Sequence, residues 1–246
     1  GADSNAAALL GSANTDWQDE IFETSISWDH NVSATGNIAN MPFRASIGYS
    51  DQQGILKTSG LNRLTGSFGI NPSLFEDHLS INLNLKGMLI DNSFANGGAI
   101  GSAVSFDPTK PVYDNGNAYG GFYIWTQPNG DPNTLAPNNP MALLMMHQDE
   151  SSVQRSLGYL QFDYKFHFLP ELKATLNMGY DYSKSEGTVV DDNNAPWTFS
   201  NGGGYKSEYS QDKKNELLDF YLTYAKDIES IDSRVDVMGC YSWQHF

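Results

Sequence analysis

Across positions 161–183 the chain reads QFDYKFHFLPELKATLNMGYDYS, and its residues sort into two sets by parity. Phe162, Tyr164, Phe166 and Phe168 form one row before a turn expected at 169–171. Gln161, Asp163, Lys165 and His167 form the other. After the turn, Leu172, Ala174, Leu176, Met178, Tyr180 and Tyr182 alternate with Lys173, Thr175, Asn177, Asp181 and Ser183. A period of two marks a strand whose faces meet different surroundings. The pattern recurs in eight segments, roughly 21–35, 41–50, 62–71, 78–89, 155–168, 172–183, 217–227 and 234–246. No amphipathic helix of useful length stands out. The run 141–146, MALLMM, reads as one or two helical turns inside a loop.

The connectors alternate in length. Short ones fall at 36–40, 72–77, 169–171 and 228–233; long ones fall at 51–61, 90–154 and 184–216. Compact soluble domains rarely contain structureless loops as long as the last two. An outer-membrane barrel has this asymmetry, with short periplasmic turns and long extracellular loops. The charge-free row then faces hydrocarbon, where a basic side chain at mid-depth costs about 2–4 kcal/mol, and the other row faces a wet lumen. Backbone in hydrocarbon must be fully paired, so only helices or closed barrels span. The longest apolar run is far below the ~20 residues of a spanning helix. The predicted fold is therefore all-β: an antiparallel up-and-down transmembrane β-barrel fragment of about eight strands. Aromatic placement agrees with two interfacial girdles, Tyr49, Tyr180, Tyr182, Tyr241 and Trp243 toward the long loops and Phe43, Phe166 and Phe168 toward the short turns.

Composition narrows the function. A formal net charge of −15 with only 14 Lys and Arg argues against a nucleic-acid partner. One cysteine, Cys240, excludes an internal disulfide framework and a multi-thiolate metal site. The opening stretch has no initiator Met and no basic-then-apolar leader. The last segment stops without a turn. The expectation is a partial barrel domain over 1–246, without signal peptide, forming an open curved sheet if alone. With long loops outside, the first strand descends, so at least one strand is expected before it.

Several stretches resemble one family: NTDWQDEIF (14–22), DHNVSATG (29–36), IGYSDQQGILKTS (47–59), HLSINLNLKG (78–87), GAIGSAVSFDPTKPVYD (98–114) and LGYLQFDYKFHFLPELKATLNMGYDYS (157–183). Their order and spacing resemble the SusC/RagA group of TonB-dependent outer-membrane transporters over nearly the whole chain. The resemblance implies the early barrel wall of an importer of oligosaccharides or peptides in the bacterial outer membrane, with no TonB box or plug expected within 1–246. It implies a SusD-like surface lipoprotein and the TonB complex as partners, with contact to outer-membrane lipid, no cofactor and no enzymatic activity.

Candidate binding residues sit in the two longest loops. YGGFYIWTQPNGDP carries Tyr119, Phe122, Tyr123 and Trp125, and NNAPWTFSNGGGY carries Trp197, Phe199 and Tyr205. Aromatic faces stack on sugar rings and neighbouring amides pair with hydroxyls; alternatively, these rings pack the loops on themselves. Asp191, Asp192, Asn193 and Asn194 offer oxygens but lack a calcium-loop spacing. Asp16, Asp19 and Glu20 read as loop structure rather than acid–base catalysts. The five histidines show no paired metal spacing, so no metal is expected. Two other readings compete: a passive porin or surface adhesin barrel, and a soluble β-rich carbohydrate-binding domain whose apolar row packs on a second sheet.

Overall fold

A computed structural model describes residues 10–39 and 41–246. The Ala-rich opening stretch up to residue 9 and Asn40 of the first short connector lie outside the described residues. In order, the elements are α1 (Trp17–Ile21), β1 (Ser27–Ile38), β2 (Met41–Gln53), β3 (Gly60–Ile70), the two-residue β4 (Ser73–Leu74), β5 (Leu79–Ser93), α2 (Gly98–Ser105) and α3 (Pro140–Met145). Then come β6 (His147–Phe166), β7 (Leu169–Asp191), a 3-10 turn (Pro196–Asn201), β8 (Tyr205–Ile228) and β9 (Ser233–His245). All strands join one unclosed antiparallel sheet in the order β1-β2-β3-β5-β6-β7-β8-β9, with β4 against β5.

Register carries the parity from strand to strand. Ala34, Ala45, Phe68, Leu85, Gly158 and Tyr180 stand opposite one another on successive strands. So do Ile70, Leu83, Leu160, Met178, Leu218 and Trp243. The intervening residues make a polar face: Ser46 Oγ meets Ser67 Oγ at 2.7 Å, Thr175 donates to Asp163 at 2.5 Å, and Arg155 grips Asp181 through bonds of 2.8 and 2.5 Å. Among the described residues no second sheet covers the apolar face; Val32 is 70% exposed, Leu89 50% and Val237 59%. This removes the reading in which the apolar row packs inside a sandwich.

The apolar face has an oblique upper border. Its first polar residue is Asp51 on β2, and that row continues through Asn62, Asp91, Ser152 and Glu186 to Ser210 on β8. On β8 itself the apolar residues end lower, at Leu218, and Glu216 is the first charge. The border thus falls by six residues (210 to 216) across the five pairings from β2 to β8. At about 3.4 Å per residue and 4.8 Å per strand, that is an inclination of about 40°. Above the border the same row carries ion pairs: Lys184–Glu186 at 2.6 Å, Lys206–Glu208 at 2.7 Å and Lys214–Glu216 at 2.8 Å.

That border explains where the sequence reading falls short. β6 begins at His147 rather than 155, β7 runs to Asp191 rather than 183, and β8 begins at Tyr205 rather than 217. Above the border both rows are mostly polar and the consecutive Val189 and Val190 fall one on each, so alternation vanishes while the hydrogen-bond ladder continues. The first strand begins at Ser27, not 21, because Asp16 caps a helical turn over 17–21. The turn expected at 169–171 lies instead at 167–168. The β6–β7 register shifts between Lys165 and Phe166, and Pro170 falls in the extra residues of that bulge, where no ladder donor is needed.

On the apolar face Gly158 is filled from across the strand. A Cβ there would overlap the Tyr180 ring, whose hydroxyl lies 3.0 Å from Ser156 Oγ. A Cβ at Gly66 meets nothing within 4 Å. Gly158→Val is expected to expel the ring and cost about 1–3 kcal/mol, whereas Gly66→Ala stays within about 0.5 kcal/mol. Urea unfolding in detergent, followed by tryptophan fluorescence, measures both.

Candidate functional site

The hydrophobic core lies not in the sheet but in the segments that connect its upper end. Trp17, Ile21, Ala99, Ala103, Phe106, Val112, Phe122, Leu144, Met146 and Ala195 pack into one cluster drawn from four separate stretches. These segments form a cap whose assembly follows from a few polar residues.

Two stretches of the family resemblance clasp each other. Thr15 N–H donates to the Pro108 carbonyl at 2.8 Å and its hydroxyl to the Lys110 carbonyl at 2.7 Å; Ala13 N–H donates to the Thr109 carbonyl at 3.1 Å. Asp16 accepts from the N–H groups of Gln18 and Asp19 at 3.1 and 3.3 Å, which starts α1 and turns Trp17 inward. The Trp17 indole donates to the Asp107 carbonyl at 3.1 Å and sets its ring edge-on to Phe106 at 4.7 Å. Asp16 is thus the cap of α1, and Asp19 and Glu20 lie in its first turn rather than in the loop read from the sequence. The 54–59 loop joins through Glu23 N–H to Ile55 and Lys57 N–H to Ile21 carbonyls, at 2.8 and 3.0 Å.

Asn139 ties the cap from within. It is fully buried, accepts from Met141 and Ala142 N–H at 2.9 and 3.3 Å, and donates to the Val112 and Tyr123 carbonyls at 2.9 and 3.1 Å. One side chain therefore caps α3 and binds two other strands of loop, with its polar capacity used in full. The remaining loop returns through Asp192 N–H to the Met146 carbonyl at 2.9 Å. Gly202, Gly203 and Gly204 hold φ of 91°, 85° and 74°, and a Cβ on either of the last two would overlap Asn193. The glycine run is a left-handed path from the 3-10 turn into β8, not a phosphate loop.

The aromatic candidates divide. Phe122 is buried, 5.3 Å from Tyr113, and Trp197 packs against the core. Tyr123 and Trp125 are partly exposed and perpendicular at 5.7 Å, with the Lys110 ammonium 5.6 and 5.0 Å from their ring centres. Tyr119 and Phe199, from different loops, meet edge to face at 5.9 Å, and Phe199 is exposed. Tyr205 is exposed at the head of β8, with no ring partner among the described residues. The sequence reading missed Lys110, Asn139 and Trp17; the two motifs containing Trp17 and Lys110 were the available signal.

Electrostatics at the cap are local. Backbone N–H and hydroxyl of Thr109, each 2.8 Å from Asp107 Oδ1, hold the Asp107 carboxyl below the usual carboxylate range. His147 Nδ1 lies 2.7 Å from Asp191 Oδ1, joining the head of β6 to the end of β7. Asp192 accepts from Asn194 N–H at 2.7 Å, so of the four candidate oxygen donors Asp191 ends β7 and residues 192–194 turn away from it. Among the described residues no three His, Cys, Asp or Glu side chains gather where a metal ion would bind.

An antiparallel sheet with one apolar and one polar face, roofed by long loops at one end, is the wall of a β-barrel. No family profile matches the chain. It is 39% identical, over 97% of its length, to TonB-dependent receptor SusC of Bacteroides thetaiotaomicron, and 27% identical over 96% to TonB-dependent receptor P3 of Formosa agariphila. Its fold matches the RagAB peptide transporter with a TM-score of 0.74 at 16% identity, over 96% of this chain and 26% of that one. The chain belongs to the SusC/RagA-type TonB-dependent receptor family. It spans 25% and 23% of the lengths of those two curated relatives.

Asn139→Ala is expected to loosen the cap by about 2–4 kcal/mol, since it strips four hydrogen bonds from buried groups. Asn139→Asp keeps the helix cap but faces two carbonyls with a carboxylate, and should fall between. Limited proteolysis of the loops, scored against urea resistance of the strands, separates cap from wall. The lowered pKa of Asp107 means its contribution is complete above about pH 4 and is lost as pH falls through the folded value. Asp107→Asn should remove that acid-side increase in loop cleavage, followed with an acid-active protease.

Proposed function

We propose that this chain is part of the wall of an active importer in the bacterial outer membrane. Its apolar face meets lipid, its polar face lines the lumen, and the cap stands outside. The observation that carries this is the oblique apolar band. Its inclination of about 40° lies within the roughly 35–45° tilt of spanning strands. From Leu79 to Leu89 on β5 and from Leu172 to Tyr182 on β7, ten residue steps so inclined rise about 26 Å, near the roughly 25 Å apolar belt of such barrels. Girdle aromatics support it: Tyr49, Tyr182 and Trp243 are the last apolar-row rings below the upper charges of their strands or beside them. The relatives are TonB-dependent receptors, which supports energised uptake rather than catalysis.

The cargo is an oligosaccharide or a peptide, received with a SusD-like surface lipoprotein and moved by the TonB complex. RagAB is described as a peptide importer; the exposed rings of Tyr119, Phe199, Tyr123, Trp125 and Tyr205 are equally suited to sugar faces. Phe122 and Trp197 shape the loops that present them.

Parity supplies the test of placement. Leu176→Arg, on the apolar face at mid-band, should lower stability by about 2–4 kcal/mol in lipid, while Asn177→Arg on the polar face should cost far less. Equal costs would overturn the membrane reading. For transport, radiolabelled oligosaccharide or peptide uptake should be lost in a TonB-deficient strain; uptake that persists there assigns the protein to passive porins. Tyr119→Ala with Phe199→Ala should weaken cargo binding at least tenfold in fluorescence titration without changing the urea midpoint.

A further inference from the structure

The polar face carries an uncompensated pair of cations. Arg44 on β2 and Lys86 on β5 border one depression of about 300 Å³, together with Ser67, Gly69, Asn84 and Tyr159. Gly69 lies between Arg44 and Asn84 in the ladder. It contributes no side chain, and a Cβ there would press on Asn84 Oδ1 at 2.7 Å, so the floor stays low. The two side chains start roughly 12 Å apart by register, two strands across and two residues along, within reach of one shared group.

Neither cation is neutralised. Among the described residues the Arg44 and Lys86 side chains make no hydrogen bond or ion pair, although the chain as a whole has a net charge of −15. Carboxylates on the same face are already engaged. Asp181, two strands from Lys86 in the same row, is held by Nε and Nη2 of Arg155. Asp163 accepts from Thr175 and Gln161 at 2.5 Å each and lies 3.4 Å from Lys173. Ser67 is bonded to Ser46, Asn84 to Asn82 and Tyr159 to Gln161, so the charged donors left open at the depression are the guanidinium fork and the ammonium.

We infer that Arg44 and Lys86 form a seat for a carboxylate presented from the lumen. A planar fork binds two carboxylate oxygens at once and a nearby ammonium adds a point charge, which selects an oxyanion over a neutral hydroxyl. The inference rests on the barrel-wall reading, which makes this face the lumen. The carboxylate comes from an acidic solute in transit or from another stretch of the polypeptide packed inside the barrel, and the chemistry at the seat is the same.

The test uses the purified protein in detergent, with Arg44→Gln/Lys86→Gln and the charge-conserving Arg44→Lys/Lys86→Arg. If a solute supplies the group, D-glucuronate binds the wild type in calorimetric titration where D-glucose does not. The Gln pair then weakens that binding at least tenfold and the conserving pair restores it. If the polypeptide supplies it, glucuronate does not bind the wild type. The Gln pair then lowers the melting temperature by several degrees, and the conserving pair recovers it. No glucuronate binding together with an unchanged melting temperature overturns the inference. Energy-dependent uptake by the wild type is measured alongside: its presence with that result removes only the seat, and its absence removes the importer reading itself.

Discussion

Hydrogen-bonded register is the constraint on which the rest depends. From β1 to β9 the pairings run without a slip except at the Lys165–Phe166 bulge beside the short turn. A displacement of one residue anywhere would send an entire strand's Leu, Phe and Tyr residues to the polar face. Because none occurs within the band, a local alternation becomes a continuous apolar surface eight long strands wide. Burial of side chains contributes little to this; the sheet has no core of its own, and its exposed apolar residues are its design rather than a defect. The backbone ladder supplies order, and the surroundings on each face supply the reason for the side chains.

The cap follows a different physics. Its residues are held by a buried cluster and by a small number of polar groups bonded to backbone: Thr15, Asp16, the Trp17 indole and Asn139. Asp16 acts locally, but Thr15, Trp17 and Asn139 join segments far apart in sequence, so the loops behave as a packed unit and not as free tethers. Lys110 over Tyr123 and Trp125, and Tyr119 against Phe199, put charged and aromatic groups at the surface of that unit. A wall ordered by its ladder and a cap ordered by packing leave the two parts independently variable.

The sheet was legible in the chain because alternation is local information. Rows such as Leu79–Leu89 or Leu172–Tyr182 announce their face without reference to anything distant. Legibility ended where chemistry on the two faces became alike: neither KSEGTVV nor KSEYSQDKK alternates in hydropathy, yet both are paired throughout. Helix α1 was hidden because its signal is a single capping aspartate rather than a period. The cap was hidden for another reason, since Asn139 reveals its role only once Val112 and Tyr123 are brought beside it. Aromatic residues in loops were visible, but their division into buried Phe122 and exposed Phe199 is a property of packing.

Strand lengths add a last consequence. β1, β2 and β3 have 12, 13 and 11 residues, whereas β6, β7 and β8 have 20, 23 and 24. Beyond the apolar band the wall therefore rises as a parapet on one flank and stays low on the other. A bulky molecule approaching this end of the sheet would meet a ramp instead of a level rim, with the tall flank studded by lysine and glutamate and the short one leaving a gap in the skyline.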